Sequence, residues 1–149
     1  MSIENEFILR LVVATLLGAL LGLERSLAGK HAGMRTYALV AMGSALFVVV
    51  GILSSVQLSM FPGINPVQIA SSVVIGIGFI GAGLAALRGE HPELTTASGI
   101  WLSAGIGMAA GFGLYAPALA ATVIGFIVFW GFAKLERQLS SKYGINHEG

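Results

Sequence analysis

The sequence has 149 residues, of which 56% are hydrophobic and only 10% charged, with a mean hydropathy of +0.87. Soluble domains run at about 45–50% apolar and about 25% charged residues, so these few charges cannot coat a water-facing surface. A soluble enzyme and a disordered chain are thereby excluded; a net charge of +1 offers no basic face to nucleic acid, and the absence of cysteine removes disulfides, thiolate metal sites and cysteine nucleophiles.

A bilayer's hydrocarbon core is about 30 Å thick and takes roughly 20 apolar helical residues to cross. The first apolar run covers residues 7–23, is interrupted by Arg10 and ends at Glu24 and Arg25. The second, residues 36–56, carries no charge and ends in a turn-rich patch with Pro62, Gly63, Asn65 and Pro66. A third, residues 67–87, stops at Arg88 and is followed by a short polar loop holding Glu90, His91 and Glu93. No charge occurs from Thr95 to Ala133. As one helix that stretch would be about 60 Å long, twice the core thickness, so it must fold back. The glycines and proline of residues 111–117 mark the break.

These runs predict an all-α membrane protein with five transmembrane helices. They are too long and too evenly apolar for barrel strands, which alternate polar and apolar residues. Beyond them, Leu135, Leu139 and Tyr143 recur every four residues among Lys134, Arg137, Gln138 and Lys142, which predicts a short amphipathic helix along the inner interface. The chain thus divides into a transmembrane domain, 1–133, and a cytoplasmic amphipathic tail, 134–149. Because it stops at Gly149, no sizeable soluble domain is expected to follow.

Basic residues set the orientation. With five spans and the N-terminus outside, Arg25, Lys30, Arg35, Arg88, Lys134, Arg137 and Lys142 all fall inside, and only Arg10 falls outside. In a bacterium this places the chain in the inner membrane, N-terminus periplasmic and C-terminus cytoplasmic. The acidic start, Glu4 and Glu6, does not suit a cleavable signal peptide, so the first span is expected to be retained. Arg10, about one turn inside span one, is expected to snorkel to the outer surface.

Glycine is abundant, with 21 residues, most of them within the spans. Lipid tails do not drive helices together, so close backbone approach must. Gly18 with Gly22, and Gly107 with Gly111, have the small-xxx-small spacing. Gly76, Gly78, Gly81 and Gly83 contain a literal G-x-G-x-x-G, but midway along an apolar run, with no strand before it and no acidic residue about twenty positions on, so it is not a nucleotide loop. All eight glycines are read as helix-packing positions. Their faces predict association with a second copy, a dimer first, or with another membrane protein.

Glu24, Arg25 and Arg35 cluster at the inner mouth of spans one and two, where Thr36, Thr95 and Thr96 open spans two and four. The simple reading is positive-inside anchors plus helix caps, with Thr36 and Thr95 as N-caps. A sharper reading is an inward-facing polar pocket. In it Glu24 pairs with Arg25 or Arg35, the threonines line the walls, and two helix N-termini favour an anionic group. No catalytic constellation is present: Ser44, Ser98 and Ser103 have no His or Lys at helical spacing to activate them. The protein is therefore expected to be non-enzymatic, with no resident metal and no cofactor. The rival expectation is a small oligomeric transporter or channel using the Glu24–Arg35 mouth.

One ordered series carries a resemblance. It comprises Gly22-Leu23-Glu24-Arg25, then Ala32 to Thr36 with Leu39 and Val40, then Gly76 to Gly83, then Leu94 to Ala97 with Trp101 and Ala104. The chain resembles the MgtC/SapB family of bacterial inner-membrane proteins over about residues 7–133. That resemblance implies a five-helix membrane domain, a link to growth at low Mg²⁺ and to survival inside macrophages, and, from one member, restraint of the F-type ATP synthase. It points to Glu24, Arg25, Gly33, Arg35, Thr36, Gly78, Gly81, Gly83, Thr95 and Thr96 as the motif residues. Many relatives carry an ACT-like domain after the fifth helix; this sequence is expected to be a short form without it.

Overall fold

A computed structural model describes residues 3–57, 65–86 and 94–143. They form α1 (Ile3–Leu27), α2 (Met34–Gln57), α3 (Pro66–Ala86), α4 (Leu94–Gly111) and α5 (Tyr115–Ile127). A π-helical turn (Val128–Phe132) then runs directly into α6 (Ala133–Tyr143). No strand occurs among the described residues. Pro62, Gly63 and the polar loop with Arg88, Glu90, His91 and Glu93 lie outside them.

Helices α1, α2, α3 and the continuous segment Tyr115–Lys142 are long and apolar enough to cross a membrane. α4 is shorter, 18 residues, and carries Thr95, Thr96, Ser98 and Ser103. Its place explains its composition: α4 packs against α1, α2, α3 and α5, and its small and hydroxyl-bearing residues supply much of the face that meets them. Half of it is buried, including Thr96, Ser103, Gly107 and Gly111.

The core is built on one face of α2, where Tyr37, Ala41, Ala45 and Val48 are fully buried. Two pairs of glycines clamp this face. From α1, a Cβ on Gly18 would lie 2.7 Å from the Ala41 Cβ, and one on Gly22 would lie 2.8 Å from the Met34 Cα. On the α4 side, a Cβ on Gly107 would collide with the Ala41 carbonyl, and one on Gly111 would lie 2.9 Å from both the Ala45 oxygen and the Val48 Cβ. These glycines are where backbones meet, as association without a hydrophobic drive requires.

The glycines of α3 behave differently: none makes a close backbone approach within the chain. A Cβ on Gly76, Gly78 or Gly83 would meet nothing within 4 Å, and one on Gly81 would only touch the Ala97 Cβ at 3.8 Å. α3 packs beside α2 and α4 at the edge of the bundle, so most of its surface faces outward, with Ile75 76% and Phe79 82% exposed.

Glycine also closes two helices. Gly29 (φ +69°) and Gly113 (φ +79°) are in the left-handed region, one residue past the helical turn they end. At each, paired bonds complete a Schellman motif: Lys30 N–H to Arg25 O with Gly29 N–H to Ser26 O, and Leu114 N–H to Ala109 O with Gly113 N–H to Ala110 O. The tight reversal expected at 111–117 is therefore real. Pro117 sits in the first turn of α5, where its missing N–H costs nothing.

Arg10 reaches toward the N-terminal end of α1, as snorkelling requires, and is held there. Its Nη1 donates to the Gly111 carbonyl at 2.9 Å, it pairs with Glu6, and its guanidinium lies 5.0 Å from the centre of the Phe7 ring. It caps the negative end of α4 from the neighbouring helix. Arg10→Met is expected to destabilise the fold by about 1–2 kcal/mol. Glu6→Gln, at a pair whose acid is half exposed, should change stability by less than about 1 kcal/mol. Thermal unfolding of the two variants in detergent separates these outcomes.

Candidate functional site

At the opposite end of the bundle from Arg10, the C-terminal turn of α1 carries Glu24 and Arg25. Both are buried, at 8% and 5% exposure, which is unusual for charged side chains. The Arg25 Nε donates to Glu24 Oε2 at 2.5 Å. Neighbours in sequence on a helix do not naturally face each other, so the pair holds because both side chains turn the same way into the bundle.

Phe129 covers the pair. Its ring centre lies 4.2 Å from the Arg25 guanidinium carbon, a cation–π contact in a desolvated place. Phe129 reaches inward from the π-helical turn, while Val128, Trp130 and Phe132 around it stay exposed. A π turn inserts an extra residue and so rotates the helix beyond it, and such turns are common at functional sites. Tyr37 meets Phe129 edge-on, with ring centres 6.4 Å apart. The Tyr37 hydroxyl donates to the Thr96 carbonyl at 3.4 Å, and Ser103 Oγ donates to the Tyr37 carbonyl at 2.7 Å. Gly99 leaves the room this needs: a Cβ there would lie 2.6 Å from Phe129 Cζ and would strike the Tyr37 hydroxyl.

Thus the chain brings Glu24, Arg25 and Thr96 toward one cluster, but not all six predicted residues. Instead of lining an open mouth, the Glu24–Arg25 pair is buried beneath Phe129. Arg35 is exposed and makes no ion pair among the described residues. Thr36 is the third residue of α2, not its cap; the cap is Ser26, whose Oγ accepts from the Met34 N–H at 2.8 Å. Thr95 is the second residue of α4 and is exposed, so it does not occupy the capping position either. Tyr37, Phe129, Ser103 and Gly99 were not legible as site residues. Tyr37 at the opening of span two was the available signal; Phe129 had none, because its direction depends on the π turn.

The open space in the molecule is elsewhere. An apolar groove of about 540 Å³ runs between α2 and α3, with Leu39, Gly43 and Phe47 on one wall and Ser72, Gly76 and Ile80 on the other. Among the described residues no three carboxylates or imidazoles come together as metal ligands would.

The sequence profile of the MgtC family matches residues 11–138, a stretch that takes in the glycine clamp, the buried pair and Phe129. The chain belongs to the MgtC family. It is 41% identical over 141 residues to the Escherichia coli K12 protein named "Putative magnesium transporter YhiD", covering 92% of this chain and 65% of that one. To Protein SrpB of Synechococcus elongatus it is 41% identical, covering 86% and 75%. To Protein MgtC of Salmonella typhimurium it is 44% identical over 119 residues, covering 79% and 48%. The chain therefore spans between about half and three quarters of the length of these MgtC-family relatives. No solved structure matches it.

Proposed function

We propose that this MgtC-family membrane protein is a non-enzymatic regulatory or accessory protein of the bacterial inner membrane, acting by helix-to-helix docking on a membrane complex. The observation that carries this reading is the outward face of α3. There Gly78 and Ala82, a small-xxx-small pair, are exposed beside Ile75 and Phe79, and a Cβ on Gly78 would meet nothing in the chain. Such a face admits a second helix backbone at close range. The family resemblance extends the proposal to adaptation to low Mg²⁺, with the F-type ATP synthase as the first complex to examine. The topology is N-terminus periplasmic and C-terminus cytoplasmic, from the positive-inside bias.

Gly78→Leu is the test. The variant should fold as well as the parent and lose its partner or its self-association, seen by crosslinking in native membranes and by what co-purifies. Unchanged crosslinking and unchanged co-purification would sink the proposal.

A second reading is a small oligomeric transporter or channel. It is favoured by the buried charges Glu24 and Arg25 inside the bundle, since ionisable groups in membrane segments mark transport pathways, and by the name of the Escherichia coli relative. Flux of Mg²⁺ into proteoliposomes by the parent protein, absent from protein-free vesicles and changed in rate by Glu24→Asp, which keeps the charge pair, would establish it. No flux by correctly inserted protein would remove it.

A further inference from the structure

The α2–α3 groove and the exposed Arg35 belong together. Along α2 the groove is lined by Leu39 and Val40, then Gly43 and Ser44, then Phe47. These are successive turns of one helical face, and the preceding turn on that face is Arg35 and Thr36. Helical side chains lean toward the N-terminus of their helix, so Arg35 points away from the groove's apolar floor and toward the end of the bundle where α2 begins. That end also holds Glu24 and Arg25. Glu24 is already paired with Arg25, so Arg35 presents a positive charge without a counter-charge among the described residues.

The groove itself is apolar apart from the hydroxyls of Ser44 and Ser72. The hydroxyl of Ser72 donates to the carbonyl of Gln68 in its own helix at 3.1 Å. Its depth comes from two missing side chains: a Cβ on Gly43 or on Gly76 would meet nothing within 4 Å. Along α3 the lining runs from Ile69 to Ile80, about 16 Å at 1.5 Å per residue. One leaflet of a bilayer is about 15 Å of hydrocarbon. The volume of about 540 Å³ would take roughly eighteen units the size of a water molecule, which is the bulk of one long acyl chain. A groove of one leaflet's depth, open to the lipid, with an exposed arginine that makes no ion pair among the described residues at its headgroup end, has the shape and charge of a single amphiphile with an anionic head.

We propose that this groove holds one acyl chain of a phospholipid whose phosphate is bound by Arg35 at the start of α2. The proposal goes beyond the docking role and does not depend on it. The groove uses the Gly76 face of α3, whereas docking uses the Gly78 face.

The two faces allow a clean test. The protein is purified in mild detergent, supplied with phosphatidylglycerol or phosphatidylcholine, and examined by native mass spectrometry. One phosphatidylglycerol per chain should survive gentle activation. Arg35→Gln, at an exposed position that leaves the fold intact, should lower that retention about tenfold, as loss of charge-assisted bonds to a phosphate does. Arg35→Lys should restore part of it. Gly76→Leu, filling the groove, should abolish retention, while Gly78→Leu should leave it at the parent level. Equal retention by Arg35→Gln and the parent, or equal losses from Gly76→Leu and Gly78→Leu, would overturn the proposal. So would efficient disulfide dimers through Ile80→Cys in native membranes, which would give the groove to a second copy of the chain.

Discussion

Gly107→Ala should be among the most damaging single-methyl changes in the protein. The added carbon would fall on the Ala41 carbonyl, 2.7 Å from its carbon and from the Ala41 Cα, and backbone cannot step aside as a side-chain tip can. α2 and α4 would have to part along the face that also seats Gly111, and overpacking of that kind costs about 3 kcal/mol. Gly105→Ala supplies the control. It sits two residues away on the same helix, its Cβ would meet nothing within 4 Å, and its effect should stay within about 1 kcal/mol. Thermal unfolding of both variants in one detergent decides the matter. Equal melting temperatures would mean that the α2–α4 contact does not hold the bundle together.

The second large effect is expected at the buried pair. Glu24→Gln leaves the Arg25 guanidinium, 5% exposed, without its counter-charge beneath an aromatic ring. Breaking a buried pair from one side costs about 3–5 kcal/mol, because the remaining charge stays desolvated. Replacing both partners by neutral residues of similar shape should cost much less than the sum of the single changes. Glu24→Gln/Arg25→Met is therefore expected to be more stable than Glu24→Gln alone. A double-mutant cycle read by thermal unfolding gives the coupling directly; additivity of the two single changes would show that the pair contributes little.

Much of the architecture could be read in advance because the bilayer leaves so little choice. Run length against core thickness gave the spans, the charge-free stretch from Thr95 had to reverse, and Gly113 with Pro117 told where. The helices overrun the apolar runs by a few residues, α1 starting at Ile3 rather than Phe7, since helical hydrogen bonding continues through Glu4 and Glu6 into the interface. The clamp glycines Gly18, Gly22, Gly107 and Gly111 were legible from their spacing. What could not be read was which glycines face a neighbour and which face out. A helix surrounded by lipid on one side and apolar residues on the other shows no contrast around its circumference, so Gly76 and Gly78 look the same as Gly107. The pairing of Glu24 was legible as a need for a partner, but the lid over it was not. Phe129 lies more than a hundred residues away, and its inward turn comes from the register shift of the π segment.

The position of α4 has a consequence for how the protein is made. The stretch of sequence at the heart of the bundle is the one least able to enter lipid unaided, because its threonines, serines and glycines become comfortable only once other helices surround them. Its reversal into α5 is three residues long, so entry of the two segments as a single hairpin, with the more apolar α5 offsetting the polar groups of α4, is the expected route. Insertion and packing would then be coupled, since the contact of Gly107 with the Ala41 backbone can form only once that hairpin meets α2.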